Sequence, residues 1–176
     1  MAMHDLPEFA RALPSVMLLP VDRPGRDLDA VRDLLLEYAE ALSFNTCFGG
    51  FDEELSRLEH FYRPPAGALL LARKGTDNAG CVGLRQIDAG TCELRRLYVR
   101  PRFRRAGLGR ALALEALARA RAAGYGRACL ETLPAMIEAR ALYALLGFVP
   151  CLPYYDNYAT GGDCFELLLK PVTSDP

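Results

Sequence analysis

The segment Arg104-Arg105-Ala106-Gly107-Leu108-Gly109-Arg110 sets two glycines among three arginines, where a run with leucines and alanines at helical spacing begins. Glycine has no Cβ, so its backbone can approach an anion closely, and a helix start adds unpaired N–H groups and the positive end of the macrodipole. The chemistry this offers is capture of a pyrophosphate. A P-loop would need Lys followed by Ser or Thr after its last glycine, whereas Arg110 and Ala111 stand there. The dinucleotide fingerprint asks for a third glycine or alanine three positions after the second, and Leu112 stands there. On these residues alone, a Gly-x-Gly turn whose arginines only solvate a loop stays open. Arg100, Arg102, Arg104, Arg105 and Arg110 crowd into eleven positions, a charge run that either coats a loop or borders the phosphate site.

Positioning these groups takes an α/β arrangement. Residues 15–21 read as a short apolar strand, and 27–42 as a helix with Asp27 or Asp29 as its N-cap. Residues 51–62 read as a second helix, with Leu55, Leu58 and Phe61 or Tyr62 on one face and Pro64-Pro65 ending it. Three strands at 68–73, 80–87 and 91–99, joined by turns rich in Gly, Asp and Asn, predict an antiparallel meander. The long helix spans 107–123, with Gly124 and Gly126 as its stop and Leu108, Leu112, Leu114 or Glu115, and Leu117 facing inward. A strand at 127–133, a helix at 135–146 capped by Gly147, and strands at 148–152 and 163–170 complete the chain.

Composition fits one domain over 1–176. A chain of 176 residues buries roughly 70% of its unfolded surface, and 51% apolar with 24% charged residues is the balance of a soluble globular protein. Twenty-one basic against 22 acidic residues give a net charge of −1, so no whole-molecule attraction to nucleic acid or an anionic membrane is expected. The six cysteines form no Cys-x-x-Cys pair and lie mostly in apolar runs, which reads as buried free thiols in a reducing cytoplasm. His4 and His60 lie far apart without metal-ligand spacing, so no metal site is expected. The acidic residues Asp5 and Glu8 and the prolines at 14 and 20 make the start of the chain neither a signal peptide nor a spanning helix.

On two blocks the chain resembles the GNAT superfamily of acyl-CoA-dependent N-acyltransferases. Arg104-Arg105-Ala106-Gly107-Leu108-Gly109, following Leu97-Tyr98-Val99-Arg100-Pro101, matches the family's Arg/Gln-x-x-Gly-x-Gly/Ala coenzyme motif behind an apolar-x-Val-x-Pro strand end. Ala141-Leu142-Tyr143-Ala144-Leu145-Leu146-Gly147-Phe148 looks like its Leu-Tyr-x-x-x-Gly-Phe signature. The resemblance covers residues 66–170, with the earlier part matching in element order only. It implies a single-domain, mixed, twisted and mostly antiparallel sheet of six to seven strands flanked by about four helices. In that fold, strands 91–99 and 127–133 run parallel and splay, so that the pantetheine arm of acetyl-CoA inserts between them. It further implies coenzyme contacts at Leu97, Tyr98 and Val99 and a pyrophosphate held at Arg104, Arg105, Ala106, Gly107, Leu108, Gly109 and Arg110.

The activity implied is direct transfer of an acetyl group from acetyl-CoA to a primary amine, without a metal. Such transfer needs a neutral nucleophile, a donor for the oxyanion and a proton for the leaving thiolate. Tyr143 stands at the motif position of the proton donor, a phenol of reference pKa about 10. Glu93, by strand alternation on the face of Arg95, Leu97 and Val99, matches the general base of some members. It reads equally as a rim carboxylate paired with Arg85 or Arg95, and Glu131 is a second candidate base. A backbone N–H near Leu97 would meet the oxyanion. The chain departs from many relatives at Leu133-Pro134-Ala135-Met136-Ile137-Glu138, where no asparagine is available to contact pantetheine. The runs 43–50 and 153–158, rich in aromatic and amide side chains, suit a small amine or amino-acid acceptor, with Arg85 or Arg95 on its carboxylate; they suit a lid or homodimer contact equally. The alternatives are an inactive acetyl-CoA-binding sensor or assembly module, and a protein or peptide N-acetyltransferase.

Overall fold

The computed structural model describes residues 16–42, 50–154 and 161–169. In chain order the elements are β1 (Val16–Pro20), α1 (Arg26–Ala41), α2 (Phe51–Ser56), α3 (Leu58–Phe61), β2 (Ala68–Lys74), β3 (Asp77–Gln86), β4 (Thr91–Val99), a 3-10 turn (Pro101–Phe103), α4 (Leu108–Ala122), β5 (Arg127–Thr132), α5 (Ile137–Leu145), β6 (Val149–Pro150) and β7 (Asp163–Leu168). The strands form one sheet in the order β1-β2-β3-β4-β5-β7-β6. Every neighbouring pair is antiparallel except β4 and β5. That parallel pair holds register only at Thr91–Arg127, Cys92–Ala128 and Glu93–Cys129. Beyond these residues the two strands part and leave a wedge.

Both sheet faces are covered, which is why β2 reads as a continuous apolar run: Leu70 and Ala72 point to one core, Leu69 and Leu71 to the other. On the first face lie Leu112, Ala113, Ala116 and Leu117 of α4 with Tyr143 of α5; on the second lie Val31, Leu34 and Leu35 of α1 with Phe51, Leu58 and Tyr62. The inward stripe of α4 carries alanines at 111, 113, 116 and 120, while Leu114 and Glu115, expected inside, are half-buried. Small residues let the helix axis approach the sheet more closely than a leucine stripe would.

Three local expectations need correcting. Helix α1 starts after Gly25 with no side-chain cap, and Asp27 and Asp29 fall in its first turn, where they face the positive end of the macrodipole instead. Residues 51–62 form two short helices because the backbone opens at Arg57, with φ of −135°. The third correction matters most. In β3 and β4, Cys81 faces Tyr98 but Gly83 faces Arg95, so Arg96 and Leu97 stand together opposite Val82 as a β-bulge. Arg96 adopts a left-handed φ of 56°, which costs an L-residue about 1–2 kcal/mol. The extra residue breaks the alternation on which Glu93, Arg95, Leu97 and Val99 were expected to share a face. Arg95 instead reaches Glu54 on α2, while Leu97 and Val99 pack with the α4 core.

Candidate active site

The wedge is lined by Tyr38 of α1 and Leu42 just beyond it, residues 93–97 of β4, Glu131 and Thr132 of β5, Leu133, Met136, and Tyr143 of α5. Tyr143 owes its place to the residues that follow it. Gly147 takes φ of 90°, which ends α5 and folds the chain back, so that the Phe148 amide donates to the Tyr143 carbonyl at 3.0 Å. The two rings then meet edge to face with centroids 5.8 Å apart. Burial pushes the Tyr143 phenol well above the ordinary tyrosine value, and nearby Tyr38 adds to the shift. At neutral pH this phenol keeps its proton. Tyr38 itself stacks on Tyr98, with centroids 5.3 Å apart.

Glu93 is a buried ion-pair centre, its side chain 2% exposed, and not a rim carboxylate. Its Oε2 accepts from Arg85 Nε at 2.6 Å and from Arg95 Nη1 at 3.4 Å, and its Oε1 accepts from the Tyr154 hydroxyl at 2.8 Å. Arg95 bridges onward, Nη2 donating to Glu54 Oε2 at 3.3 Å. Glu54, on α2, also accepts from both Arg96 Nε and Arg96 Nη2 and from the Tyr62 hydroxyl. Burial by itself raises the Glu54 carboxyl, but the Arg96 donors and the Arg95 and Arg96 charges outweigh it and hold the group below its ordinary value. Glu131 lies on the wedge with its carboxylate against Gly162, where a Cβ would collide with it.

Sequence reasoning missed Glu54, Arg96, Tyr62 and Tyr38. A signal existed for Glu54: it falls between Phe51 and Leu58 on the apolar stripe, a position where an acid needs a buried partner. The runs expected to frame the acceptor are only partly within the described residues. Residues 43–49 and 155–158 lie outside them, while Tyr154 does reach the site.

At the other end of the wedge, Gly107 caps α4 with φ of 79°, and nothing stands within 4 Å of where its Cβ would be. The first intrahelical bond runs from Ala111 N to Gly107 O, so the amides of Leu108, Gly109 and Arg110 precede the helical ladder. Left-handed Arg105, φ of 62°, pairs with Glu138 of α5 at 3.6 Å. Arg104 Nε donates to the Val99 carbonyl at 2.8 Å. Arg100 and Arg102 are held instead by Glu37 and Asp77, each at 2.9 Å, which separates them from Arg104, Arg105 and Arg110. The Tyr98 ring stands on the α1 face, leaving its main chain on the β4 edge.

The other reactive groups are quiet. Burial pushes the thiols of Cys81, Cys92 and Cys129 up to about 12, so none is a ready nucleophile at neutral pH. Among the described residues no group of His, Cys, Asp and Glu has the makings of a metal site, and no helix is long and apolar enough to cross a membrane.

Residues 28–148 match the model of the Acetyltransferase (GNAT) family, a span that takes in both motif blocks. The chain is 35% identical over 146 residues to an uncharacterised N-acetyltransferase of Schizosaccharomyces pombe, covering 82% of this chain and 90% of that protein. Its fold is similar to that of an acetyltransferase from Streptococcus agalactiae, with a TM-score of 0.75 at 20% identity over 88% of this chain and 99% of the other. A GNAT family acetyltransferase from Elizabethkingia anophelis, solved with acetyl-CoA bound, superposes with a TM-score of 0.63 at 18% identity, over 88% of this chain and 99% of that one.

Proposed function

This chain belongs to the GNAT acetyltransferase family, and from that premise we propose that it moves an acetyl group from acetyl-CoA directly to the primary amine of a small molecule, an amino acid or amine. The observation that carries this reading is the wedge between β4 and β5, which has an open strand edge, a buried phenol and an ion-paired wall within one cleft.

The residues present fit the coenzyme. Space over Gly107 is open, the amides of Leu108, Gly109 and Arg110 precede the helical ladder beside it, and Arg104 and Arg105 stand next to it in the chain. These groups would hold the diphosphate, while the main chain of residues 97–99 along the β4 edge would hold the pantetheine arm. Acetyl-CoA, when bound, supplies an activated thioester carbon. Tyr143 keeps its proton at neutral pH and donates it to the departing sulfur. The Leu97 amide, on the bulge, meets the charge that develops on the carbonyl oxygen. A carboxylate offers about four lone-pair positions, and with three donors on Glu93 the remaining one would take the amine's proton, directly or through a water. Arg95 and Arg96 line the cleft against Glu93 and Glu131, a balanced set of charges, and Arg95 is the group that would meet the carboxylate of an amino-acid acceptor.

Thiol release from acetyl-CoA with a panel of amino acids, amines and peptides tests the reading. Amino acids are expected to react best, and Tyr143→Phe is expected to lower kcat about a hundredfold with coenzyme affinity unchanged. Turnover of peptides but of no small amine would favour a protein acetyltransferase. Coenzyme binding with no turnover of any amine would leave a sensor.

A further inference from the structure

The bulge in β4 falls where that strand lines the cleft, and it depends on a backbone conformation that arginine rarely adopts. A left-handed non-glycine residue persists only where its surroundings over-determine it. Around Arg96 they do. Its guanidinium donates from Nε to Glu54 Oε1 at 3.0 Å and from Nη2 to Glu54 Oε2 at 2.7 Å, a two-point fork. The same group lies 5.2 Å from the centroid of the Phe51 ring. Glu54 is fixed in turn by the Tyr62 hydroxyl and by Arg95. Tyr62 is locked as well: its ring covers Gly83, where a Cβ would collide with it, on the strand that faces the bulge. Glu54 of α2, 42 residues earlier in the chain, therefore holds the Arg96 side chain of the β4 bulge.

We propose that Glu54 is a positioning residue for acetyl transfer: acting through Arg96, it holds the β4 bulge so that the Leu97 amide stands where the oxyanion forms. This rests on the transfer reading above. A donor stabilises developing charge only if its place is fixed before the charge appears, and an amide on an irregular stretch of strand is not fixed by the ladder itself. The clamp supplies what the ladder lacks. A hydrophobic side chain at position 54 would fill the same space without holding the guanidinium.

Glu54→Gln keeps the shape and removes the charge. It is expected to lower kcat by about tenfold to a hundredfold, the effect of misplacing a catalytic group by a fraction of an ångström to an ångström, while the Kd for coenzyme A by calorimetry stays at the wild-type value. Adding Arg96→Gly to it supplies a residue that takes a left-handed φ without strain, so the double variant is expected to recover most of the lost kcat. Wild-type kcat in Glu54→Gln, or a double variant no faster than the single, overturns the proposal. Should Glu54→Gln not fold, Arg96→Lys takes its place, keeping the charge and losing the fork. The same loss of kcat with intact coenzyme affinity is then expected, and wild-type kcat overturns the proposal. The Leu97 amide resonance, measured by NMR with coenzyme A present, gives a readout independent of turnover. It is expected to move in the single variant and return in the double. If the wild-type chain acetylates no amine, the transfer reading falls and this resonance alone judges the clamp: an unmoved signal overturns it.

Discussion

The two ends of the cleft use the same charges in opposite ways. At the start of α4 the arginines stand in solvent: Arg105 and its partner Glu138 have side chains 89% and 70% exposed. Around Glu93 the carboxylates are buried and the guanidiniums half-buried, linked from Arg85 through Glu93, Arg95 and Glu54 to Arg96. On the proposed reading the exposed end takes a highly charged group, for which backbone amides and a positive field suffice even if each arginine is mobile. On the same reading the buried end lies beside the reacting atoms, where position decides rate, and its charges are fixed by one another at the cost of desolvation.

Perturbing one member at each end separates these roles. The largest effect is expected from Glu93→Ala, which leaves Arg85 and Arg95 without their shared carboxylate. Loss of one partner from a buried pair costs about 3–5 kcal/mol, to be read as a lower urea midpoint at an unchanged slope. An effect within error would mean that this network is not coupled to folding. Next comes the acid limb. The folded-state value of Glu54 lies below the ordinary 4.5, so the stability it confers is present above that pH and is lost as pH falls through the folded value. Stability measured from pH 6 downward is therefore expected to fall less steeply in Glu54→Gln than in wild type. Equal slopes would remove Glu54 from the account. The smallest effect belongs to the solvent end: Arg105→Ala is expected to weaken coenzyme A by no more than about 1 kcal/mol, a loss that vanishes at about 1 M salt. A larger, salt-independent loss would place Arg105 with the buried network.

The same contrast explains what was legible in the sequence. Gly107 and Gly147 announce themselves because the conformation each needs is local, and the phosphate end and the Tyr143 turn follow from them. The parallel β4–β5 pair came with the family resemblance that the two motif blocks carry. The bulge was not legible, because it depends on what Val82 does across the ladder and not on the spelling of residues 91–99. Glu54 was hidden for a related reason: its place on the apolar stripe signals a buried partner, but the partners themselves lie 41 and 42 residues away. Asp27 and Asp29 misled as caps because an acid suits the first turn as well as the cap position.

The central claim is that the α4 start beneath Gly107 receives the diphosphate of coenzyme A. Calorimetric titration of coenzyme A into wild type and Gly107→Glu tests it most directly, since a glutamate there is strained at φ of 79° and sets a negative charge against the phosphates. The account predicts saturable heat with wild type and none with the variant. A wild-type chain that binds no coenzyme A, or a variant that binds it as tightly, would contradict it.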